Sequence, residues 1–355
     1  MKDKRYIFFV FIFCHFLFSC NDSANEIKLV SLPEVVELTS TSNTIDATLL
    51  YPAKMFIKGN KLFIFEPLER EMFKVFDFPS LVHLYSFGDR GRGPNEFATP
   101  FGNDEIIDND TDLIEIFDSD QIKFVNISDS LPYIQSKISI PVFKMPINRL
   151  RKMNDSLYYH TNWFDGDMEN EFTRLNVLTG VRTYFSPYPN WVKNLKTTDE
   201  KYLTYSKASG YSFTHKMIVA FYYHYPVVKF IDFDGKVVKE IHVNTPKSNF
   251  NIPDTENNLF FVEFFAITDN YIYVMWFEGK PKKEILDNPE NFKPEMLVFD
   301  WEGNIEGRYR LDKPIAVFAI SEKTNKIYGV PLPEEDVINV IYEYDLPIIK
   351  KQTTR

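Results

Sequence analysis

The 355-residue chain is acidic and aromatic, and both properties narrow what it can do. Its formal net charge is −10, and loss of a leader with three basic residues and one acidic residue would leave about −12, which repels nucleic acid and anionic lipid headgroups. The 34 Phe and 20 Tyr residues indicate a β-rich fold, because aromatic side chains suit a pleated, half-buried surface.

The N-terminus predicts a lipoprotein signal peptide over residues 1–19. A basic start precedes the apolar run Tyr6–Phe18, which is too short to span a membrane. Leu17–Cys20 resembles the lipobox of bacterial lipoproteins, although Phe18 is bulkier than the usual residue there. We expect cleavage before Cys20 and attachment of lipid to its thiol. The alternatives are a plain secretory signal and an uncleaved anchor.

Residues 20–26 would then form a lipidated tether to a folded domain. The chain has only two cysteines, so the mature protein would keep Cys20 alone and no pair to bridge. A domain exported to an oxidising compartment without disulfides is stable through its core, which a chain of this length can supply.

One short signature recurs through the rest of the chain: an apolar residue, then Asp, Asn or Glu, then another apolar residue, followed by a turn. Its six copies are centred on Asp77, Asn126, Asn176, Asp232, Asp300 and Glu343. Asp and Asn side chains bond backbone amides a few residues on and so start turns. The glycines in "DFDGK" and "DWEGN" complete two of these turns, since glycine tolerates positive φ.

Two further strand-like runs precede each signature, so each unit of about fifty residues reads as a meander of four short antiparallel strands. Six such units predict an all-β, six-bladed β-propeller over residues 27–355. The expected blades are 54–87, 103–140, 147–186, 211–244, 264–311 and 315–355. Little chain follows the last signature, so we expect an N-terminal strand to complete the last blade and close the ring. The alternative is a chance repeat within a β-sandwich.

The stretch "SFGDRGRGPNEF", residues 86–97, is too irregular for a phosphate-binding loop. Pro94 and Asn95 stand where a Walker-type loop needs Lys and Ser or Thr, and Glu96 stands where a dinucleotide fingerprint needs its third glycine. In the repeat it links the outer strand of the first blade to the inner strand of the second. We therefore expect a structural loop role for the residues that suit such a crossing, namely Gly88, Gly91, Gly93, Pro94 and Phe97.

This stretch also resembles a Gly-x-x-Gly-x-Gly-Pro-x-Glu-Phe/Tyr signature of the TolB-like six-bladed propeller lipoproteins. Gly88, Gly91, Gly93, Pro94, Glu96 and Phe97 match it one by one. The resemblance implies the propeller fold and an anchored, extracytoplasmic location, with the outer membrane favoured over the inner one. It implies no reaction and no catalytic residue.

Long insertions fall where a propeller places all its blade-to-blade crossings and the loops between second and third strands, at 88–101, 163–171, 187–210 and 278–294. Binding residues concentrate on such loops. Arg90, Arg92 and Glu96 are candidate ligand contacts near the axis, because arginine forks bind carboxylate or phosphate. The loop aromatics that can stack on sugar rings are Trp163, Trp191, Tyr202 and Tyr205. The alternatives are arginines that offset local acids and aromatics that cap the blades.

We expect no metal and no cofactor. Two acidic runs, from Asp108 and from Asp165, lack the glycine that a calcium loop requires, and no nucleophile elbow or free thiol is present. The sequence therefore predicts a module that binds a protein or glycan partner in the cell envelope. One alternative is an enzyme with an axial active site, of the glycan hydrolase, lyase or lactonase type. Another is a structural subunit of an envelope assembly.

Overall fold

The strands of the protein form six sheets, arranged as the blades of a propeller. In a computed structural model, the residues described are 26–102, 112–128, 131–140, 150–162, 167, 169–247, 250–251, 253, 258–287, 292–332 and 338–348. Across these ranges no helix is both long and apolar enough to cross a bilayer. The predicted signal peptide and Cys20 lie outside them.

Blades 1 to 3 each contain four antiparallel strands that run in chain order from the axis to the rim. Blade 1 consists of β4 (Lys54–Lys58), β5 (Lys61–Phe65), β6 (Glu71–Asp77) and β7 (His83–Asp89). Blade 2 consists of β8 (Pro100–Gly102), β9 (Leu113–Asp118), β10 (Gln121–Asn126) and β11 (Tyr133–Ser139). Blade 3 consists of β12 (Arg151–Lys152), β13 (Leu157–Thr161), β14 (Asn170–Asn176) and β15 (Arg182–Pro187).

Blades 4 to 6 are built from the remaining chain, and the described parts of their connections include two short helices. Blade 4 consists of β16 (Lys207–Ser212), β17 (Met217–Tyr222), β18 (Val227–Asp232) and β19 (Val237–Asn244), and α1 (Thr198–Thr204) precedes it. Blade 5 consists of β20 (Leu259–Ile267), β21 (Tyr271–Lys280), β22 (Glu295–Asp300) and β23 (Ile305–Leu311), with α2 (Lys282–Asp287) after β21. Blade 6 consists of β24 (Ile315–Ser321), β25 (Lys326–Pro331) and β26 (Ile338–Asp345).

The N-terminal segment completes the ring. The strand β3 (Thr41–Leu49) pairs antiparallel with β26 and is the outermost strand of blade 6, which confirms the predicted closure. Two earlier strands were not predicted: β1 (Glu26–Ser31) adds parallel to β19, and β2 (Val36–Leu38) adds parallel to β23. Blades 4 and 5 therefore have five strands rather than the expected four, because a short segment beside an open sheet edge pairs with it.

Several inner strands begin earlier than the sequence indicated. Strand β16 starts at Lys207 rather than 211, β20 at Leu259 rather than 264, and blade 2 at Pro100 rather than 103. The start of β16, "KASG", has few residues with strand propensity, yet every residue of β16 is buried. Packing around the propeller axis, rather than local strand propensity, therefore determines where these inner strands begin. The inner strand expected at residues 103–108 lies outside the described residues.

Hydrophobic clusters fill the interfaces between neighbouring blades. Among the described residues, the cluster between blades 4 and 5 joins Phe221, Phe261, Trp276 and Phe299, and comparable clusters lie at the other five interfaces. Neither face of a single blade is buried by that blade alone, so stability depends on the closed ring.

The predicted turn chemistry is confirmed in two forms. Asn126 Oδ1 accepts a hydrogen bond from the Ser128 amide at 2.9 Å, and Asn176 Oδ1 accepts one from the Leu178 amide at 3.0 Å, two residues on in both turns. Asp232 Oδ1 instead accepts from the Lys236 amide, four residues on, at 2.8 Å. Gly235 lies between them at φ +94°, which L side chains rarely adopt.

The connections define two faces. The long-loop face carries the blade-to-blade crossings and the loops between second and third strands, including residues 90–99, 188–206 and 281–294. The short-turn face carries the other turns, such as 59–60 and 233–236. One longer connection, 103–112, belongs to the short-turn face, and most of it lies outside the described residues. The loops predicted at 88–101, 187–210 and 278–294 all belong to the long-loop face.

Candidate functional site

The glycine-rich crossing on the long-loop face folds around its own glutamate. Glu96 Oε2 accepts a hydrogen bond from the Gly93 amide at 2.7 Å, and a Cβ placed on Gly91 would lie only 1.8 Å from the same oxygen. Because Gly91 has no side chain, the Glu96 carboxylate can occupy the space where a Cβ would lie. Phe97 closes the loop, with its amide donating to the Asp89 carbonyl at 2.9 Å and its buried ring packed edge-on against Phe73. Gly91 and Gly93 thus let the crossing fold closely around the Glu96 carboxylate.

A buried carboxylate fastens this crossing to blade 2. Asp118, at the end of β9, accepts hydrogen bonds from the amides of Ala98 at 3.1 Å and Thr99 at 2.7 Å. Lys123 pairs with the same carboxylate at 2.5 Å and also donates to the Glu96 carbonyl at 2.6 Å. Backbone amides that would otherwise lose their hydrogen bonds on burial are thus satisfied by a charge-assisted acceptor.

Blade 1 repeats the arrangement. Glu66, fully buried after β5, accepts hydrogen bonds from the amides of Leu50 at 2.6 Å and Tyr51 at 2.9 Å, where the chain crosses from blade 6. Lys74 of β6 forms an ion pair with its other oxygen. We call each such unit a lysine–carboxylate pair: a carboxylate under a crossing and a lysine from the third strand of a blade.

The third pair lies under the longest described crossing and is the most deeply buried. Glu171, at the start of β14, contacts Lys207 Nζ through Oε1 and Lys229 Nζ through Oε2, both at 2.9 Å. The Tyr222 hydroxyl donates to Oε1 at 2.6 Å, and Ser186 Oγ donates to Oε2 at 3.3 Å. Two cations and two hydroxyls thus surround one carboxylate at the junction of blades 3 and 4.

The electrostatics of this pair follow from its burial. Burial by itself raises the pKa of Glu171, but the charges of Lys207 and Lys229 outweigh it, and the net pKa lies below the ordinary value for glutamate. Burial lowers the pKa of Lys207. Burial, reinforced by the Glu171 charge, raises the pKa of Tyr222 well above its usual range. Glu171 is therefore an anion at neutral pH, and Tyr222 is a neutral donor to it.

The crossing at residues 188–206 packs over this pair. Helix α1 begins at a capping box, in which the Glu200 amide donates to Thr197 Oγ1 and the Thr197 amide donates to Glu200 Oε2, both at 3.1 Å. Tyr205 is buried, and its hydroxyl oxygen accepts a hydrogen bond from the Val192 amide at 3.1 Å. Local sequence thus forms the helix, and an aromatic side chain anchors the loop around it.

Trp191 joins this loop to blade 4. Its indole Nε1 donates to Glu240 Oε1 at 3.2 Å, and its ring lies edge-on to Tyr205 and Tyr222. The Lys229 ammonium lies 5.5 Å from the centre of the Trp191 ring, within range of a cation–π interaction. In the described structure Trp191 and Tyr205 therefore cap blade 4, the alternative that the sequence left open.

The other predicted contacts are spread over the long-loop face. Arg90 and Arg92 are exposed, and the Arg90 guanidinium donates to the Pro67 carbonyl. Tyr202 is half-buried on α1, away from the glycine-rich crossing in the chain. Trp163 lies outside the described residues. Ligand contact by Arg90, Arg92, Glu96, Trp163, Trp191, Tyr202 and Tyr205 stays a prediction.

Among the described residues, one hollow opens on each face. A polar hollow of about 390 Å³ on the long-loop side of blade 1 is lined by Arg70, Lys74 and Asp89 among others, with Arg70 Nε 3.1 Å from Asp89 Oδ1. The second, of about 360 Å³, lies where inner strands of blades 1, 4, 5 and 6 reach the short-turn face. Ile57 and Ile267 lie in its wall. Among the residues that the structure describes, no three His, Cys, Asp or Glu side chains come together in a way that holds a metal ion.

The sequence reasoning missed the lysine–carboxylate pairs, although a signal for them is present. Lys74, Lys123 and Lys229 each stand three residues before the central Asp or Asn of a repeat signature. The strands that hold them are otherwise mostly apolar: "EMFKVFD", "QIKFVN" and "VVKFID". A lysine at one fixed position of a repeat, within a buried strand, predicts a buried carboxylate partner. The partners themselves have no common spacing, since Glu66 and Asp118 come from the same blade and Glu171 from the preceding one.

The fold and the crossings held by buried carboxylates define a six-bladed propeller with one elaborated face. The chain belongs to the TolB-like 6-blade propeller-like family, whose model matches residues 31–323. No functionally curated protein matches the sequence significantly.

Two solved structures from Bacteroides share the fold. One is a protein of Bacteroides fragilis described as exported, with a TM-score of 0.56 and 13% identity, covering 90% of this chain and 99% of its own. The other is a member of the duf4221 family from Bacteroides vulgatus, with a TM-score of 0.57 and 13% identity, covering 86% of this chain and 97% of its own. At this identity the likeness concerns the fold.

Proposed function

We propose that the protein is a lipid-anchored, extracytoplasmic propeller that binds a protein or glycan partner with its long-loop face. The observation that carries the proposal is the set of three lysine–carboxylate pairs under crossings of that face. Glu66 and Asp118 accept hydrogen bonds from crossing amides, and Lys207, which pairs with Glu171, donates to the Tyr205 carbonyl of the third crossing. Burying charged groups is costly unless they are fully paired. A chain that places Glu66, Asp118 and Glu171 under its crossings holds those loops in one shape, which lowers the entropic cost of binding.

A binding role agrees with the contacts of these carboxylates better than a catalytic role does. A general base needs a lone pair within reach of the proton it removes. Both oxygens of Glu171 already accept hydrogen bonds or ion pairs, from Lys207, Lys229, Tyr222 and Ser186. Asp118 is likewise shared between two amides and Lys123. These groups support the loops and are not aimed at a substrate.

The proposed location rests on the lipobox and on the similar protein from Bacteroides fragilis, which is described as exported. Acyl chains on Cys20 would hold the protein to a membrane, at about 0.8 kcal/mol for each buried methylene. Replacement of Cys20 by Ser removes the acylated thiol, so we expect the protein to move from the membrane fraction to the soluble fraction after cell breakage. Membrane retention equal to that of the parent protein would contradict the anchor.

The binding face can be tested by site-specific photo-crosslinking in cells. A photoreactive amino acid at Arg92 should give a discrete adduct with the partner, because this side chain is exposed on the long-loop face. The matched control is the same amino acid at Lys216, an exposed cation in a turn on the short-turn face, which should give none. Adducts from position 216 alone would place the binding surface on the other side. A glycan partner would form no protein adduct, and a glycan array probed with the intact protein tests for it.

A further inference from the structure

The chain enters the propeller from the short-turn face. Strand β1 runs parallel to β19, with Glu26 opposite Lys239 near the start of β19 and Ser31 opposite Asn244 at its end. Strand β19 begins at the turn 233–236 of the short-turn face, so the first residues of β1 lie at that end of blade 4. The Lys28 ammonium donates to Asn304, in the corresponding turn of blade 5, which places it at the same end.

The tether is too short to let the lipid reach the opposite, long-loop face. A fully extended chain gains at most about 3.6 Å per residue, so the lipid on Cys20 lies within roughly 20 Å of Glu26. A seven-residue strand is itself about 23 Å long. To bring the long-loop face to the membrane, the tether would have to climb the full height of blade 4. The short-turn face therefore faces the bilayer when Cys20 is acylated.

The short-turn face also exposes apolar side chains at equivalent places in successive blades. In the turns between third and fourth strands, Val82 projects from blade 1, Leu131 from blade 2, and Leu178 with Val181 from blade 3. Next to the tether, Ile27 of β1 is 64% exposed. Single exposed apolar residues are ordinary, and what distinguishes these is their recurrence at one position of three successive blades. The row runs along blades 1 to 3 and ends beside the tether at blade 4.

The long-loop face differs in pattern. Among the described residues, its exposed large apolar side chains include Tyr51, Leu68 and Leu203, which lie in three unrelated connections rather than at a repeated position. The net charge of about −12 for the mature chain opposes attraction to anionic lipids, so contact with a bilayer has to come from apolar insertion.

We propose that the short-turn face lies directly on the lipid bilayer, with Val82, Leu131, Leu178 and Val181 inserted among the headgroups of zwitterionic lipids. This inference rests on the proposed acylation of Cys20. Apolar side chains and acyl chains then act as two membrane signals on one protein, a combination that anchors more stably than one chain alone. The long-loop face is turned toward the aqueous compartment, where its partner would be met.

Two leucines on opposite faces provide a matched test. Leu178 is 69% exposed on the short-turn face and Leu203 is 57% exposed on α1 of the long-loop face. Each is replaced singly by Cys in the full-length protein, which has no other free thiol once the signal is removed and Cys20 is acylated. The thiol is labelled with an environment-sensitive fluorophore, and the protein is reconstituted in phosphatidylethanolamine–phosphatidylcholine vesicles that contain lipid-borne quenchers.

We expect a blue shift and loss of fluorescence for the label at position 178, and unshifted, unquenched emission for the label at position 203. The label at Leu131→Cys should behave like the one at 178. Equal quenching at 178 and 203, stronger quenching at 203, or no quenching at either position on vesicle-bound protein would each overturn the proposed orientation. Mass spectrometry of the N-terminal peptide reports acylation of Cys20 separately, so a failed anchor is told apart from a wrong orientation.

Discussion

The two faces of this propeller are held together by different kinds of contact. Turns on the short-turn face are closed locally, as when Asn176 bonds the amide two residues on or Asp232 bonds the amide four residues on. Crossings on the long-loop face are held by carboxylates more distant in sequence, as when Asp118 accepts hydrogen bonds from the amides of Ala98 and Thr99, 20 and 19 residues away. Bonds between blades also occur on the short-turn face, as when Arg174 donates to the Phe233 carbonyl at 2.6 Å. The difference between the faces therefore lies in the buried carboxylates under the crossings.

Because of this difference, we expect substitutions on the two faces to destabilise the protein by different amounts. A local turn has few partners, and its loss is confined to one connection. A lysine–carboxylate pair joins two blades or a crossing and a blade, so its loss leaves buried charges without partners. We therefore expect larger effects under the long-loop face, and we order the predictions by that expectation.

The largest effect should follow Glu171→Ala. It leaves Lys207 and Lys229 buried without their anion, and breaking such a pair destabilises a protein by about 3–5 kcal/mol. Glu171→Gln should cost less, because the amide still accepts one hydrogen bond. The measurement is the free energy of unfolding by urea titration. Asp199→Ala, on the exposed first turn of α1 in the same crossing, is the control and should cost less than about 1 kcal/mol. A Glu171→Ala protein as stable as its parent would show that the ion pairs of Glu171 do not stabilise the fold.

The pH dependence of stability sharpens the same point. The pKa of Glu171 is lower in the folded protein than in the unfolded chain, so its contribution is present above the unfolded pKa and is lost as pH falls through the folded pKa. Between neutral and strongly acidic pH the parent protein should therefore lose more stability than Glu171→Gln. Parallel pH profiles would contradict this assignment.

A smaller difference in stability is expected between alanine substitutions at two glycines of the short-turn face. Gly59 and Gly235 both have positive φ, at +60° and +94°. A Cβ on Gly59 meets nothing within 4 Å, whereas one on Gly235 would lie 2.7 Å from Phe185 Cβ in blade 3. We expect Gly59→Ala to cost about 1 kcal/mol from the backbone alone and Gly235→Ala about 3 kcal/mol with the added clash. Thermal and urea unfolding of both variants measure the difference, and equal losses would mean that Phe185 moves aside freely.

The same contrast between local and distant contacts explains which features could be predicted from the sequence. The six signatures, the turn residues and the glycine-rich crossing are local patterns, and they were sufficient for the class of fold, the number of blades and the closing strand β3. The strands β1 and β2 were missed because each is short and depends on a sheet edge built elsewhere in the chain. The inner strand β16 was placed too late because "KASG" carries no strand preference of its own.

By itself, the amino-acid order determined the repeat and therefore the wheel of sheets, since turn chemistry and apolar alternation act between residues close together in the chain. It also placed a lysine at the same point of three blades. Only the tertiary structure decided which carboxylate each lysine meets and that Trp191 packs as a cap. It likewise decided at which face the tethered end emerges. Those outcomes depend on contacts between blades, and such contacts exist only once the ring has closed.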